Sequence, residues 1–598
     1  MQNSLFLAKP HSNERMFVVI PLLISPFLIP FLLFPIDVTY LVEITAALLT
    51  LVLWCYNTRR ICIPSIPLLL LSILILGQLL IYSFGDIVNL DTWGIGILLV
   101  LIGYAYFIIS GSAKKDQIEK FSNFYIFAVL LWSAAGLYCW LGGTGGHPLT
   151  LGPFALAVEL GPKLSGPFAQ GNIYAGMVAA AWLITLWKIL FKDDDSPINY
   201  LLFAAFTVLS VCSLSKGAWI TQFIMGICFF ALSLRKTPAK LKQSSFYKLA
   251  KIAGLLLLSI LFGYLLVELR AEVLNVTYAL DSLDSLATNI DRSGNTRISI
   301  WMTSLIMFFE NPFLGVGFGN YASHYFSTQP AALTTLYELG FPANGSWGGS
   351  SAHNIILQFL AEAGLAGGVA ILAVCFLLLS GIRGYAHNPA DPRFMAVSIS
   401  ALLLIQGMVN VTLIKPIPFI IFCIFMGFGT APLLYRSRLK KIVLRGKTIN
   451  LIVILLSLSF VGLLTTSYHS MTKWQRFENI FYSKSIYQPD TLHEIDALLL
   501  NSRVKSILAP LITKRVIMEG RHFQLLSAMK PHLLKSLHLL PQYEGFQLLF
   551  YIYMLEEDWE KACSTGRFIK SQHFRWDSNI NAYDKTCSEK KPASFKFR

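Results

Sequence analysis

Long apolar segments recur along this 598-residue sequence and constrain its fold more than any other feature. A helix that crosses the hydrocarbon core of a bilayer needs about 20 mainly apolar residues. Thirteen segments meet this requirement and are predicted transmembrane helices: about 17–35, 40–56, 64–83, 94–111, 122–141, 170–190, 198–214, 217–234, 249–267, 353–380, 393–412, 416–435 and 447–466. Because 55% of the residues are hydrophobic and only 14% are charged, the chain is not an ordinary soluble enzyme.

Lysine and arginine are concentrated on alternate connections between these segments. The positive-inside rule places such connections, for example 235–251 and 436–447, in the cytoplasm. The opposite connections include the glycine-rich 142–168 and the polar 268–352. We attribute the net charge of +15 to the cytoplasmic connections and expect no nucleic-acid partner. The sequence therefore predicts an all-α polytopic membrane protein with about 13 transmembrane helices and a C-terminus outside.

The predicted spans and the polar regions divide the chain into five parts. These are the N-terminal helices (1–164), a second helical group (165–267), a large external loop (268–352), the last helices (353–466) and a tetratricopeptide-like helical domain (470–598). That last domain contains two cysteines, Cys563 and Cys587, which an oxidising compartment would allow to form a disulfide. The nine cysteines show no metal-ligand spacing, so we expect neither a metal site nor a cofactor.

Candidate functional residues gather where the predicted spans meet the outside. Arg297 lies on a predicted helix that Asn295 or Thr296 would cap and that ends near Asn311-Pro312. The glycines that follow, Gly315, Gly317 and Gly319, predict a turn where backbone approaches a ligand. His353 stands at the start of a span, where helix amides can meet an anion. The alternative interpretations are a snorkelling arginine and a solvated histidine cap.

Two earlier segments face the same side by the predicted topology. Gln170 and Asn172 open a span, and Lys216 lies in a tight turn between two spans. The amides suit ordinary helix-end hydrogen bonds, and Lys216 could snorkel. However, a lysine on an external turn breaks the positive-inside pattern. Together Lys216, Arg297 and His353 would suit a ligand that carries phosphate in the outer leaflet.

These residues and motifs resemble the O-antigen ligase/polymerase superfamily of bacterial inner membranes. The motif His-Asn-x-x-Leu-x-x-x-x-Glu-x-Gly is represented here by His353, Asn354, Leu357, Glu362 and Gly364. The Gln170-x-Asn172 segment and the helical tail are similar to the branch of protein O-oligosaccharyltransferases. This chain has Ile414-Lys415-Pro416 where that branch often has Glu-Tyr-Pro, and it has Lys216 where many members have arginine. We interpret Asn-X-Ser/Thr sequons at Asn275, Asn344 and Asn410 as coincidental.

The resemblance implies transfer of a glycan, without a metal, from an undecaprenyl-diphosphate-linked oligosaccharide on the periplasmic face. The expected acceptor is a Ser or Thr of a pilin-like or other periplasmic protein; membrane lipids are the other expected partner. His353 and Arg297 are the expected catalytic residues, and Lys216, Gln170, Asn172 and Asn354 are expected to bind substrate. The alternatives are an O-antigen ligase acting on lipid A-core, a repeat-unit polymerase and a flippase of lipid-linked sugar. His353 is either a general base or only a hydrogen-bonding partner of the diphosphate.

Overall fold

Helices form at nearly all of the predicted apolar segments that the structure describes. This computed structural model describes residues 22, 36–56, 60–84, 90–141, 149–151, 154–156, 163–168, 170–192, 194–236, 242–273, 283–341, 351–436, 441–445, 448–462, 465, 513, 523–539, 543–571, 583, 587 and 588. The first predicted span, 17–35, lies outside the described residues except for Leu22. The remaining predicted spans can each be assigned to a helix.

The helices of the membrane region follow one another with short connections. They are α1 (Ile36–Tyr56), α2 (Ser65–Phe84), α3 (Leu90–Ser110), α4 (Lys115–Trp140), α5 (Gly171–Phe191), α6 (Pro197–Cys212), α7 (Lys216–Lys236), α8 (Lys242–Val273), α11 (Ile355–Tyr385), α12 (Pro392–Gly407), α13 (Pro416–Arg436) and α14 (Thr448–Gly462). Between α8 and α11 lie α9 (Leu283–Glu310) and α10 (Tyr321–Glu338), and the tail contributes α15 (Phe523–Leu539), α16 (Tyr543–Leu555) and α17 (Trp559–Ser571).

Eight helices among the described residues are long and apolar enough to cross a membrane. They lie in α2, α3, α4, α5, α7, α8, α11 and α13. Apart from 17–35, the other predicted spans coincide with shorter apolar helices, at Glu43–Cys55, Pro197–Cys212, Pro392–Gly407 and Thr448–Gly462. The protein is thus an all-α polytopic membrane protein, as the sequence predicts.

Four short strands, which the sequence analysis did not predict, add to the helices. Strand β1 (Arg60–Pro64) pairs antiparallel with β4 (Lys441–Arg445), and β2 (Leu149–Leu151) pairs with β3 (Phe154–Leu156). The β1–β4 pair joins two connections that are 370 or more residues apart, since Pro64 lies opposite Lys441. Both connections belong to the lysine- and arginine-rich set, so this pairing agrees with their predicted location on one side of the membrane.

Ion pairs at the same end of the bundle join other members of that set. Lys115 lies 2.8 Å from Asp391, and Lys192 lies 2.6 Å from Glu119. These pairs tie the start of α4 to the start of α12 and to the end of α5. Helix α5 runs from Gly171 to Phe191, and its C-terminal end lies among these ion pairs. Its first turn therefore lies at the opposite end of the bundle, which we call the site end.

Helix α5 lies at the centre of the bundle and is buried along almost its whole length. Small residues, among them Ala175 and Ala179, let neighbouring helices approach closely. The polar groups on α5 that face other helices are satisfied: Tyr174 donates to Ser133 Oγ at 2.7 Å, and the Met177 carbonyl accepts from Tyr125 at 2.8 Å. A buried helix with satisfied polar groups gives the residues at its first turn a rigid support.

The predicted loop 268–352 contains the two helices α9 and α10, which pack against each other. Helix α9 ends at Glu310, as predicted, but it begins at Leu283 and not near Asn295 or Thr296. The prediction of a cap at those residues is therefore wrong. A capping residue has non-helical backbone, whereas both residues lie inside the helix. The preceding Gly294 would cost the helix about 1 kcal/mol relative to alanine, which is too little to end it.

The tail helices dock on α10 at the site end. Phe326 of α10 and Phe546 of α16 have ring centroids 6.5 Å apart, within one apolar cluster that also includes Ala352. Cys563 and Cys587 are joined by a disulfide with their Cα atoms 5.6 Å apart. The tail thus packs against residues close to His353 in the chain.

Candidate active site

Helix α11 is interrupted at Gly364, and the backbone at this break packs against the glycine turn (315–319) that follows α9. Gly364 has φ +58° and ψ −145°, a backbone conformation that residues other than glycine rarely adopt. A Cβ at Gly364 would lie 2.6 Å from the Phe313 carbonyl, and one at Gly315 would lie 2.4 Å from the Glu362 carbonyl carbon. Leu365 N–H donates to the Pro312 carbonyl at 2.8 Å. For Gly315 the close approach is therefore to α11, not to a ligand.

Glu362 and Gln358 fasten the same turn from inside α11. The Glu362 carboxylate accepts from Gln358 Nε2 at 2.7 Å and from the backbone amides of Gly319 and Tyr321. Gln358 Oε1 in turn accepts from the Ala352 N–H at 2.7 Å. These contacts position the segment that immediately precedes His353.

Asn354 caps the N-terminus of α11. Its Oδ1 accepts from the backbone N–H groups of Ile356 at 2.9 Å and Leu357 at 3.3 Å. The amides that could meet an anion at this helix start are thus partly occupied. The Asn354 side chain retains only its Nδ2 for the predicted contact with substrate.

His353 combines a strained backbone with an electropositive neighbour. Its φ of +50° is left-handed, a conformation that costs a non-glycine residue on the order of 1–3 kcal/mol. The imidazole is half-buried and makes no hydrogen bond to a described residue. The pKa of His353 is lowered from 6.5 to about 4. Burial is the larger cause, and the positive charge of Arg297 is the smaller one. His353 is therefore neutral at pH 7 and can accept a proton.

Arg297 projects from α9 toward the connection between α12 and α13. Its Nη2 donates to Asn410 Oδ1 at 3.4 Å. Burial lowers the pKa of Arg297, but a guanidinium stays charged at neutral pH. Within the described part of the chain, Arg297 forms no salt bridge, so its charge is left for a ligand.

Lys216 is brought toward Arg297 through Asn410. The turn between α6 and α7 contains Leu214 with φ +51°, and Lys216 is the exposed first residue of α7. A Cβ at Gly217 would lie 2.4 Å from Asn410 Nδ2, so the turn packs directly on that amide. A cation at a helix N-terminus opposes the helix dipole, and no carboxylate in the described ranges pairs with Lys216.

The first turn of α5 completes the site end. A Cβ at Gly171 would lie 3.0 Å from the Ser213 carbonyl oxygen, so Gln170 and Asn172 flank the lysine turn. Gln170 is the N-cap residue of α5, but its side chain makes no capping hydrogen bond. The Asn172 carbonyl accepts from Gln406 Nε2 at 3.1 Å. Both half-buried side-chain amides lack hydrogen bonds to described residues and are free for a ligand.

The structure thus brings Arg297, the lysine turn and the first turn of α5 together around Asn410 and Gln406, and the charge of Arg297 acts on His353. It also adds Gln406, Asn410 and Thr412, for which the sequence analysis proposed no role in binding. Gln406 lies at the end of α12, and Asn410 and Thr412 follow it, so their signal in the sequence is a set of polar residues at the end of an apolar segment. No group of three His, Cys, Asp or Glu side chains that could hold a metal ion occurs in the described ranges.

A comparison with known families gives a match to part of the chain. The family model described as O-antigen ligase matches residues 200–372, a region that includes Lys216, Arg297 and His353. Gln170, Asn172 and Asn410 lie outside the matched region. A search of curated proteins gives no match to this chain.

Proposed function

The chain belongs to the O-antigen ligase superfamily through residues 200–372, and on that premise we propose that it transfers an oligosaccharide to a protein. The donor is an oligosaccharide linked to undecaprenyl diphosphate. The acceptor is a Ser or Thr hydroxyl of a periplasmic or pilin-like protein. We place the reaction at the periplasmic face of a bacterial inner membrane, where the lysine- and arginine-poor connections would lie.

The observation that carries this proposal is the neighbourhood of Arg297 and His353. A neutral base beside a guanidinium without a salt bridge suits glycosyl transfer from a diphosphate, since that reaction has a proton to accept and a departing negative charge to stabilise. The leaving diphosphate gains negative charge as its bond to the sugar breaks, and Arg297 and Lys216 can stabilise that charge. His353 at the same place can take the proton of the attacking hydroxyl.

The proposed reaction balances with groups that the site contains. The hydroxyl oxygen of the acceptor forms a bond to the anomeric carbon of the first sugar, while the bond from that carbon to the diphosphate oxygen breaks. The bonding electrons leave with undecaprenyl diphosphate, and the hydroxyl proton moves to His353. Gln170 and Asn172 would orient the donor through their free amides. A neutral His353 can accept this proton at one ring nitrogen; in the alternative role it would only donate a hydrogen bond from its ring N–H to the diphosphate.

Two features favour a protein acceptor. The Gln170-x-Asn172 segment resembles the protein-glycosylating branch, and its amides are free at the site end. The tail helices dock beside the segment that leads to His353, through Phe326 and Phe546. A helical domain next to the site offers a surface on which an acceptor protein can bind.

The second candidate function is ligation of the glycan to lipid A-core. It is favoured by the description of the matching family, O-antigen ligase. Polymerisation of repeat units would use the same donor site with the donor glycan as acceptor. These reactions differ from the proposed one only in the acceptor.

One experiment distinguishes the three reactions from one another and also tests whether the chain is an enzyme or a flippase. The purified full chain in detergent micelles receives one lipid-linked oligosaccharide with a pilin, with lipid A-core or with no added acceptor. We expect glycosylated pilin, and we expect none from the double variant His353→Ala/Arg297→Ala. Modified lipid A-core or lengthened donor would instead identify a ligase or a polymerase. Because micelles have no second leaflet, a flippase would form no product in any arm.

A further inference from the structure

Polar atoms without partners are concentrated beside the first turn of α5. Ser215 Oγ, Gln406 Oε1, Asn410 Nδ2 and Thr412 Oγ1 are buried and have no hydrogen-bond partner among the described residues. Each of these four residues is at most 1% exposed. Buried polar groups in folded proteins are nearly always hydrogen-bonded, so such a concentration indicates a bound molecule.

Contacts place these residues around one region. A Cβ at Gly176 would lie 2.9 Å from Thr412 Cγ2 and 3.1 Å from Gln406 Nε2. Asn410 packs on Gly217, two residues after Ser215. The start of α5, the end of α12 and the connections before α7 and before α13 therefore meet at these polar atoms.

Asn410 differs from the other three because its side chain also bonds one of the two candidate cations, Arg297. Oδ1 accepts from Arg297 Nη2, which orients the guanidinium. Nδ2 lies against the backbone of Gly217, the residue after Lys216, and has no hydrogen-bond partner among the described residues. This N–H donor belongs to a side chain that contacts Arg297 and packs on the lysine turn, so it is suited to an anion.

We propose that Asn410 binds the diphosphate of the donor through Nδ2 while Oδ1 positions Arg297. The inference rests on the proposed function, because it assumes a donor that carries a diphosphate. It adds a neutral residue from outside the family match to the two cations. It also assigns to the connection between α12 and α13 a direct contact with the ligand.

The test compares binding of undecaprenyl diphosphate and undecaprenol to the full chain in detergent. The two probes share the lipid tail, so their affinity ratio measures recognition of the diphosphate. Loss of one hydrogen bond to a charged group weakens binding about 10- to 150-fold, and we expect this for Asn410→Ala. Asn410→Asp keeps an acceptor for Arg297 but places a negative charge beside the diphosphate. We expect it to bind undecaprenyl diphosphate less tightly than Asn410→Ala, with undecaprenol binding unchanged in both.

Asn199→Ala is the matched control. Asn199 is also buried, and its Nδ2 donates to the Asp194 carbonyl at 3.2 Å near the other end of α6. We expect this variant to keep the wild-type affinity ratio even if its thermal stability falls. A wild-type ratio in Asn410→Asp would overturn the inference, since a merely structural Asn410 tolerates the isosteric acid. Failure of the proposed function would appear differently, as equal affinity of the wild-type chain for both probes.

Discussion

At the scale of single residues, His353 shows how the surroundings set the chemistry of the site. A histidine in water titrates near pH 6.5, within the range in which a positive charge could serve phosphate binding. Burial and the Arg297 guanidinium lower the pKa of His353 to about 4. A bound diphosphate would offset the charge of Arg297, so donor binding should raise the pKa of His353 and make it a stronger base.

This environment predicts a specific pH dependence of transfer. Because His353 is neutral above about pH 5 in the free protein, kcat/KM should stay nearly constant from pH 5.5 to 8. Its acidic decline should have a midpoint near 4, whereas the decline of kcat should lie at higher pH in the donor complex. Initial rates measured over pH 4–8 at several donor concentrations give the midpoints of both kcat/KM and kcat. A midpoint of kcat/KM near 6.5 would contradict the lowered pKa.

The same shift links the stability of the fold to pH. The folded pKa of His353 lies below the unfolded value, so the unfolded state binds more protons between about pH 4 and 6.5. This contribution to stability is complete above pH 6.5 and is lost as the pH falls toward 4. We expect His353→Gln to lose less thermal stability than the wild type between pH 7 and pH 4.5, measured as melting temperature in detergent. An equal loss in both proteins would argue against the shift.

Lys216 gives a further prediction at this scale. If its charge serves a phosphate, Lys216→Arg should retain transfer and Lys216→Ala should lose about 10- to 150-fold, since a hydrogen bond to a charged group contributes roughly 1.5–3 kcal/mol. Transfer rates at equal protein level measure the effect. Lys192, which pairs with Glu119 at the other end, provides the control Lys192→Ala, which should keep activity. A fully active Lys216→Ala would mean that Lys216 only snorkels.

At the scale of elements, the break in α11 determines where His353 lies. The half of α11 before Gly364 carries Asn354, Gln358 and Glu362, whose hydrogen bonds hold the preceding segment and the glycine turn. Most of the motif that identifies the family is thus scaffold. Among the polar residues of the motif, His353 is the one whose side chain makes no such hydrogen bond in the described part of the chain.

Replacing Gly364 by alanine should damage this scaffold. A side chain at φ +58° costs about 1–3 kcal/mol, and its Cβ would also meet the Phe313 carbonyl at 2.6 Å. We expect Gly364→Ala to lower the melting temperature in detergent and to reduce transfer. Gly254→Ala is the matched control, because a Cβ there has no neighbour within 4 Å, and alanine stabilises a helix by about 1 kcal/mol. Equal melting temperatures for the two variants would refute the structural role of the break.

At the scale of the whole molecule, the tail and the membrane bundle meet at the site end. The Cys563–Cys587 disulfide closes a loop with a sequence separation of 24. In the chain-entropy model such a loop contributes about 3 kcal/mol, so reduction should destabilise the tail. We expect reductant to increase proteolysis of the tail in the purified chain, and Cys563→Ser to do the same without reductant. Cys228, which is exposed and free, provides the control Cys228→Ser. Labelling of Cys563 by a thiol reagent in the unreduced, oxidised protein would show that the disulfide is not formed.

The bundle also separates two sets of connections, and the predicted topology anticipated this separation. The pairs Lys115–Asp391 and β1–β4 join connections of the lysine-rich set, while Asn410 and Gly217 join connections of the other set. The alternation of charge along a membrane chain records which connections share a side, because each apolar span reverses the direction of the chain. The positions of most spans and the grouping of their connections were therefore predictable.

The sequence by itself determined the apolar helices, their approximate ends and the residue types available for chemistry. These properties depend on consecutive residues, as for Asn354 at the start of α11 and Glu310 at the end of α9. Only the tertiary structure decided that Arg297 meets Asn410, 113 positions away, and that His353 is neutral beside that arginine. It also extended α9 to Leu283 and paired β1 with β4. Such features depend on which distant surfaces pack together and exclude water, and no local pattern encodes that choice.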